Sequence, residues 1–332
     1  MSYSRAYYAL QTVLPQGASA EVTEHEGSDT CAIVRGQPLR LRWITAGWPR
    51  QVADALQLGP RPDVIVAPRL SPGARALAAR EGVGWIDETG AAQISAGMLL
   101  IRLDGDPDLP VNERTGWRPA TLTVCEALLT GCPATVATVV GRTKLSMSTA
   151  ATALKLLEGE GLLGSSAARG PASRRQAVDQ AQLADAYADA AARLRPQSYI
   201  RIGVLWRDPV AGVIEAGRAW DNEGLDWAVT SALTAAVLAP TLTQVTPLEI
   251  YVPGRTRAGL RWAAGLAGLQ EMEGGRLLLR PFPTTTSSVM TDEIAPRLRS
   301  VLWPRAFADL RTAGVRGEDA AEHLRAEMSR EY

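Results

Sequence analysis

Hydroxyl and cationic side chains gather in one stretch of this 332-residue chain. Arg142, Thr143 and Lys144 precede Ser146; Ser148, Thr149, Thr152 and Lys155 follow at helical spacing, and Arg169, Arg174 and Arg175 come soon after. Short hydroxyls and a lysine on one helix face can reach base edges and phosphates in a DNA major groove. Arginines around a Gly-Pro loop suit the sugar-phosphate backbone, where each neutralised phosphate releases counterions. The pattern predicts duplex DNA as the partner, with Ser148, Thr149 and Thr152 at base edges and Lys155 nearer the phosphates. Arg142 and Lys144, in the turn before the helix, are expected on the backbone. Charge distribution agrees: the chain has 35 basic and 35 acidic residues, but 119–178 carry six basic ones (Arg142, Lys144, Lys155, Arg169, Arg174, Arg175) against three acids (Glu126, Glu158, Glu160).

The elements that must hold these residues are three short helices and a hairpin. Thr123 and Glu126 fit a capping box opening the first helix, which stops at Gly131. Pro133 starts a second helix; Ala137 is the small residue expected where two helices approach, and Gly141 the left-handed turn. Leu145 plugs the core before a helix capped by Ser146 and running to about Gly159. Met147, Ala150, Ala151, Leu154 and Leu157 are expected as its buried stripe. The residues LLGSS and SRRQAV then predict two strands around the loop AARGPA, a basic wing.

Other chemistry finds little footing. His25 and His323 have no cysteine or carboxylate at metal-ligand spacing, and the chain lacks GxxxxGK[ST], a dinucleotide glycine fingerprint and a nucleophile elbow. Cys31, Cys125 and Cys132 are too few and scattered for a disulfide framework, and the first residues lack the pattern of a secretory leader. No run of about 18 apolar residues is present. A cytoplasmic chain without membrane contact, metal or cofactor is expected.

Around the central stretch the sequence predicts α/β structure. Strands are expected at 31–34, 39–47, 63–68 and three times within 83–103, with helices at 48–57 and 71–82. The Asp-, Pro- and Gly-rich 104–119 is the clearest linker. A helix at 183–194 closes the middle. Strands at 199–206, 246–252 and 276–282 and helices at 225–240, 296–314 and 318–328 follow.

The stretch from Thr123 to Val178 resembles the winged-helix domains of bacterial transcription regulators. The whole chain is similar to the actinobacterial regulators known as AbiEi-type antitoxins, on DVIVAPRLSPGARALAAREGVGWIDETG (63–90), LDWAVTSALTAAVLAP with VTPLEIYV (225–252), and LLLRPFP with PRAFADLRTAGVRGEDAAEHLRAE near the end. The resemblance implies a repressor of its own operon, accompanying a nucleotidyltransferase-like toxin, and a central winged helix-turn-helix. Its flanks would be an N-terminal restriction-endonuclease-like domain and a C-terminal antitoxin-like α/β domain, with boundaries at 1–117, 118–195 and 196–332. Endonucleases of that fold need an acid and an acid-x-Lys pair. The chain has no lysine before Lys144, its strand reads Leu39-Arg40-Leu41-Arg42-Trp43, and Asp63 and Asp87 stand alone, so a catalytically dead copy is expected. Nucleotidyl transfer needs Gly-Ser and an Asp-x-Asp pair; Ser231 lacks the glycine, and the strand offers Glu249 with Tyr251 two residues on. The expectation is a non-enzymatic regulator whose outer domains dimerise it, bind a toxin protein or sense a ligand. The competing readings are a DNA-processing enzyme targeted by the winged helix, and a protein-interaction domain that touches no DNA.

Overall fold

The computed structural model describes residues 2–15, 18–105, 116–165, 175–196, 198–240, 247–284 and 287–330. Among these the chain is mixed α/β, with twelve α-helices and sheets of seven, six and two strands. It divides into two compact units, Met1–Glu113 with Gly314–Arg316, and Arg114–Ala313 with Gly317–Tyr332. None of its helices is long and apolar enough to cross a membrane.

The first unit contains α1 (Ser2–Val13), β1 (Ala20–Glu26), β2 (Asp29–Val34), β3 (Gln37–Trp43), α2 (Pro49–Gln57), β4 (Val64–Ala67), α3 (Pro72–Arg80), β5 (Gly84–Asp87), β6 (Ala91–Ala96) and β7 (Leu99–Asp104). Its strands lie in sequence order; β3, β4 and β5 are parallel and the remaining neighbours antiparallel. All four residues of β4 are buried, as a strand with parallel partners on both sides and helices on both faces requires. On one face Ala6, Leu10 and Val13 of α1 pack with Leu39, Leu41, Val64 and Ile94. On the other, Val52 and Ala55 of α2 and Ala74 and Ala78 of α3 pack with Ile65, Ala67 and Trp85.

The second unit begins with α4 (Pro119–Leu129), α5 (Val136–Thr143), α6 (Met147–Gly159), the hairpin β8 (Leu163–Ser165) and β9 (Arg175–Ala177), and α7 (Gln180–Arg193). There follow β10 (Ile200–Ile202), α8 (Pro209–Asn222), β11 (Ala228–Thr230), α9 (Ser231–Leu238), β12 (Leu248–Val252), α10 (Arg257–Leu266), β13 (Leu277–Pro281), β14 (Thr291–Ala295), β15 (Leu298–Val301), α11 (Trp303–Arg311) and α12 (Gly314–Met328). The sheet order is β10-β13-β12-β11-β15-β14, with β12–β13 and β11–β15 parallel. Trp220 of α8 donates to the Ala263 carbonyl of α10 at 2.7 Å, joining these helices within the apolar cluster that includes Ile250 and Leu279. A second cluster joins Leu122, Val124 and Leu128 of α4, Leu154 and Leu157 of α6 and Tyr187 of α7 with Phe307 and Leu310 of α11 and Leu324 of α12. The segments 118–195 and 196–332, read above as two domains, therefore share this second cluster, while the first lies within 196–332.

Several local readings change in the structure. Thr123 and Glu126 are not a capping box: α4 starts earlier, with Arg118 at its N-cap and Pro119 in its first turn, and the Glu126 carboxylate turns inward. Tertiary pairing outranks the local capping pattern there. The expected helix at 296–314 is the hairpin β14–β15 followed by α11, because Leu298, Ser300 and Val301 are buried in the sheet and Pro304 suits only a helix start. The expected helix at 225–240 likewise begins as the buried strand β11. Elements α1, β1, α8 and α10 are not among those expected above, although Asp208-Pro209 and Thr256 are cap signals for α8 and α10.

Candidate nucleic-acid interface

Helix α6 is built as its cap predicts. Ser146 is extended, and its Oγ accepts from the Thr149 backbone N–H at 3.2 Å. The buried side of α6 consists of Ala150, Ala153, Leu154 and Leu157. Met147, 68 % exposed, and Ala151 lie outside it, so the expected stripe is corrected. At about 100° per residue the buried arc is rotated by roughly 45° toward Ala153. The solvent side is then Ser148, Ala151, Thr152 and Lys155, all exposed, with Thr149 half-buried at its margin. Ser146 Oγ lies 3.1 Å from Ser148 Oγ and 2.8 Å from Thr149 Oγ1, and the Thr152 hydroxyl donates to the Ser148 carbonyl at 2.8 Å. These hydroxyl oxygens retain lone pairs for an incoming donor.

The turn between α5 and α6 also differs from its sequence reading. Gly141 sits within α5, and Lys144 supplies the left-handed residue at φ 60°, its N–H donating to the Val140 carbonyl at 2.9 Å. Ala137 is exposed; Val139 and Thr143 are the buried residues of α5. Thr143, expected at the interface, is fully buried. Its hydroxyl donates to the Val139 carbonyl at 2.7 Å and accepts from the Leu145 N–H at 3.3 Å, so it stabilises the turn and cannot reach a ligand. Arg142 and Lys144 are exposed, and the Arg142 guanidinium lies 3.9 Å from Asp292 on β14.

Behind α6 the hairpin adds β8 and β9, and Ala134 forms an isolated bridge with Arg175, fastening the α4–α5 connection to β9. Arg175 is tied down: its Nε donates to Glu158 at 2.9 Å, which neutralises the cation within the fold. Arg169 and Arg174 lie outside the described residues.

The acids considered above for metal chemistry are engaged internally. Asp63 accepts from the Arg40 N–H at 2.7 Å. Asp87 is buried and holds Arg75 at 2.8 Å and the Thr89 N–H at 3.0 Å. On β3, where an endonuclease lysine would stand, Arg42 grips Asp29 of the neighbouring strand with two 2.6 Å hydrogen bonds. Glu249 is held by Arg195 and Arg280, each at 2.8 Å. Burial nonetheless leaves its carboxyl above the ordinary range, with Asp309 adding to the shift and both arginines opposing it. Among the described residues no group of three or more His, Cys, Asp or Glu could hold a metal ion.

Beneath the candidate interface runs a buried polar chain that local sequence patterns do not reveal. Glu126 accepts from the Tyr187 hydroxyl at 2.5 Å and pairs with Arg305 at 3.3 Å. Asp309, one turn along α11, accepts from Thr230 at 2.6 Å and Tyr251 at 2.7 Å and lies 3.8 Å from Arg195. Burial raises the Glu126 carboxyl above the ordinary value, against the pull of Arg305 and Tyr187. Its partners come from positions 61 and 179 residues away, too far for any local motif to report. The corrected face of α6, by contrast, had a signal: Ala150, Ala153, Leu154 and Leu157 follow the i, i+3, i+4, i+7 spacing of a buried stripe. No protein-family model, no curated protein and no solved structure matches the chain.

Proposed function

We propose that the protein is a sequence-specific duplex-DNA-binding regulator, a repressor, whose reading head is the winged helix-turn-helix made by α4, α5, α6 and the β8–β9 hairpin. The observation that carries this reading is the exposed face of α6. Ser148, Ala151, Thr152 and Lys155 point outward, cations at Arg142 and Lys144 precede the helix, and the opposite side is core. A face of small side chains lets a helix sit deep in the major groove, where hydroxyls meet base edges and the Ala151 methyl can pack on a thymine methyl. Lysines at both ends of that face supply the phosphate contacts that fix its register. Short hydroxyls discriminate less than a bidentate arginine or asparagine would, so specificity is expected from two half-sites bound together as an inverted repeat. In this reading the flanking α/β parts dimerise the protein or hold a toxin partner, and neither catalyses. The endonuclease-like and antitoxin-like identities of those parts belong to the same proposal.

Selection from a pool of randomised duplexes tests it. The full chain should enrich a dyad motif, and Thr152→Ala should lower the ratio of specific to non-specific affinity by less than about tenfold, the low end of roughly 1–3 kcal/mol per contact. Enrichment of no motif, or an unchanged ratio in both Thr152→Ala and Ser148→Ala, would count against base reading by α6.

A further inference from the structure

At the carboxyl ends of the adjacent parallel strands β12 and β13 lies a pocket of about 390 Å³. Arg255 lies just after β12, and Pro281 to Thr284 lie at and after the end of β13, so residues from both strand ends line it. The walls are four prolines, Pro119, Pro196, Pro281 and Pro283, with Phe282 beside them and Arg255 as the charged residue among the described lining. Thr284 completes the lining. Proline rings are apolar, carry no N–H and have a fixed φ, so these walls are set before a ligand arrives and lose little entropy on binding. Phe282 is held in place by stacking on Tyr251, with centroids 5.7 Å apart and 27° between planes. Arg255 is exposed at the mouth.

From this we infer that the pocket is a binding site for a small organic carboxylate with a flat apolar body. The ring system lies against the prolines and Phe282, and the carboxylate faces the Arg255 guanidinium. A neutral apolar ligand would leave the guanidinium unused, and a multiply charged phosphate ester would find one cation and an apolar wall. The neighbouring groove of about 830 Å³ around Tyr199 contrasts with it. Its Arg257 and Arg261 both grip Glu271, at 2.5 Å in each closest contact, and Glu273 adds a second negative charge. Pro119 opens α4, whereas Pro281 ends β13 and Phe282 follows it. An occupant therefore touches both the three-helix segment and the six-stranded sheet, and Phe282 stacks on Tyr251, whose hydroxyl donates to the buried Asp309.

Isothermal titration of the full chain with 2-naphthoate and 2-naphthamide at neutral pH tests the site without reference to DNA. Naphthoate should bind saturably at one site per chain, and the uncharged amide about tenfold more weakly, the value of one charge-assisted contact. Arg255→Gln should bring naphthoate down to the affinity of the amide and leave the amide unchanged, a comparison that stands provided the variant unfolds thermally as the parent does. Arg261→Gln, in the neighbouring groove, should change neither. Absence of saturable naphthoate binding, equal affinity for acid and amide, or indifference to Arg255→Gln would each overturn the assignment.

Discussion

At the scale of single residues, burial and pairing sort cations and hydroxyls that look equivalent in sequence. Thr143 and Thr152 are both threonines beside a basic cluster, yet one closes a turn from inside and the other is exposed on α6. Arg175 carries the same charge as Lys144 and Lys155, but its guanidinium is engaged by Glu158 at 2.9 Å. A cation that must break an internal ion pair before meeting a phosphate contributes less to counterion release than a free one. Lys144→Ala and Lys155→Ala should therefore each flatten the slope of log K against log salt by about 0.9, while Arg175→Ala should flatten it by clearly less. Fluorescence anisotropy across a salt series measures this. Equal slope changes for all three would show that the Glu158 pair opens on binding.

At the scale of elements, α4 has two jobs that its sequence presents as one. It backs α5 and α6, and through Glu126 it is bonded to α7 and α11. A buried carboxylate raised above its ordinary value of 4.5 favours the fold when protonated. That contribution is fully present below about 4.5, the unfolded value, and is lost as pH rises through the raised folded value. Arg305 limits the loss by stabilising the ionised form. Arg305→Met should accordingly destabilise the protein by about 3–5 kcal/mol at neutral pH, through the stranded charge. The destabilisation should be smaller at mildly acidic pH, where Glu126 takes up a proton. Urea unfolding of parent and variant at two pH values checks the sign; a loss independent of pH would mean that Glu126 stays in one protonation state throughout.

At the scale of the molecule, the three-helix segment does not have its apolar core to itself. Its core continues into α11 and α12, where Phe307, Leu310 and Leu324 share a cluster with residues of α4, α6 and α7. A fragment covering 118–195 would expose that apolar surface and leave Glu126 with Tyr187 but without Arg305. It should lack a cooperative thermal transition, whereas the fragment 114–332, which keeps the shared core, should unfold cooperatively. Circular dichroism and calorimetry on the two fragments decide this. Cooperative unfolding of 118–195 alone would show that the shared core adds stability without being required.

Short-range physics made much of this legible in the sequence. The Ser146 cap, the solvent side of α6 at Ser148, Thr152 and Lys155, the buried strand at 64–67 and the Ser71-capped helix after it all rest on interactions within a few residues, and the structure bears them out. What only the tertiary structure decided depends on neighbours far along the chain. It chose the phase of the buried arc on α6, turned Glu126 from a cap into a core charge, buried Thr143 and paired Arg175 with Glu158. It also merged 118–195 with 196–332 into one unit. Local capping and periodicity energies are about 1 kcal/mol, whereas stranding one charge of a buried ion pair or exposing a shared apolar core costs several times that. Where the two conflict, partners distant in sequence win.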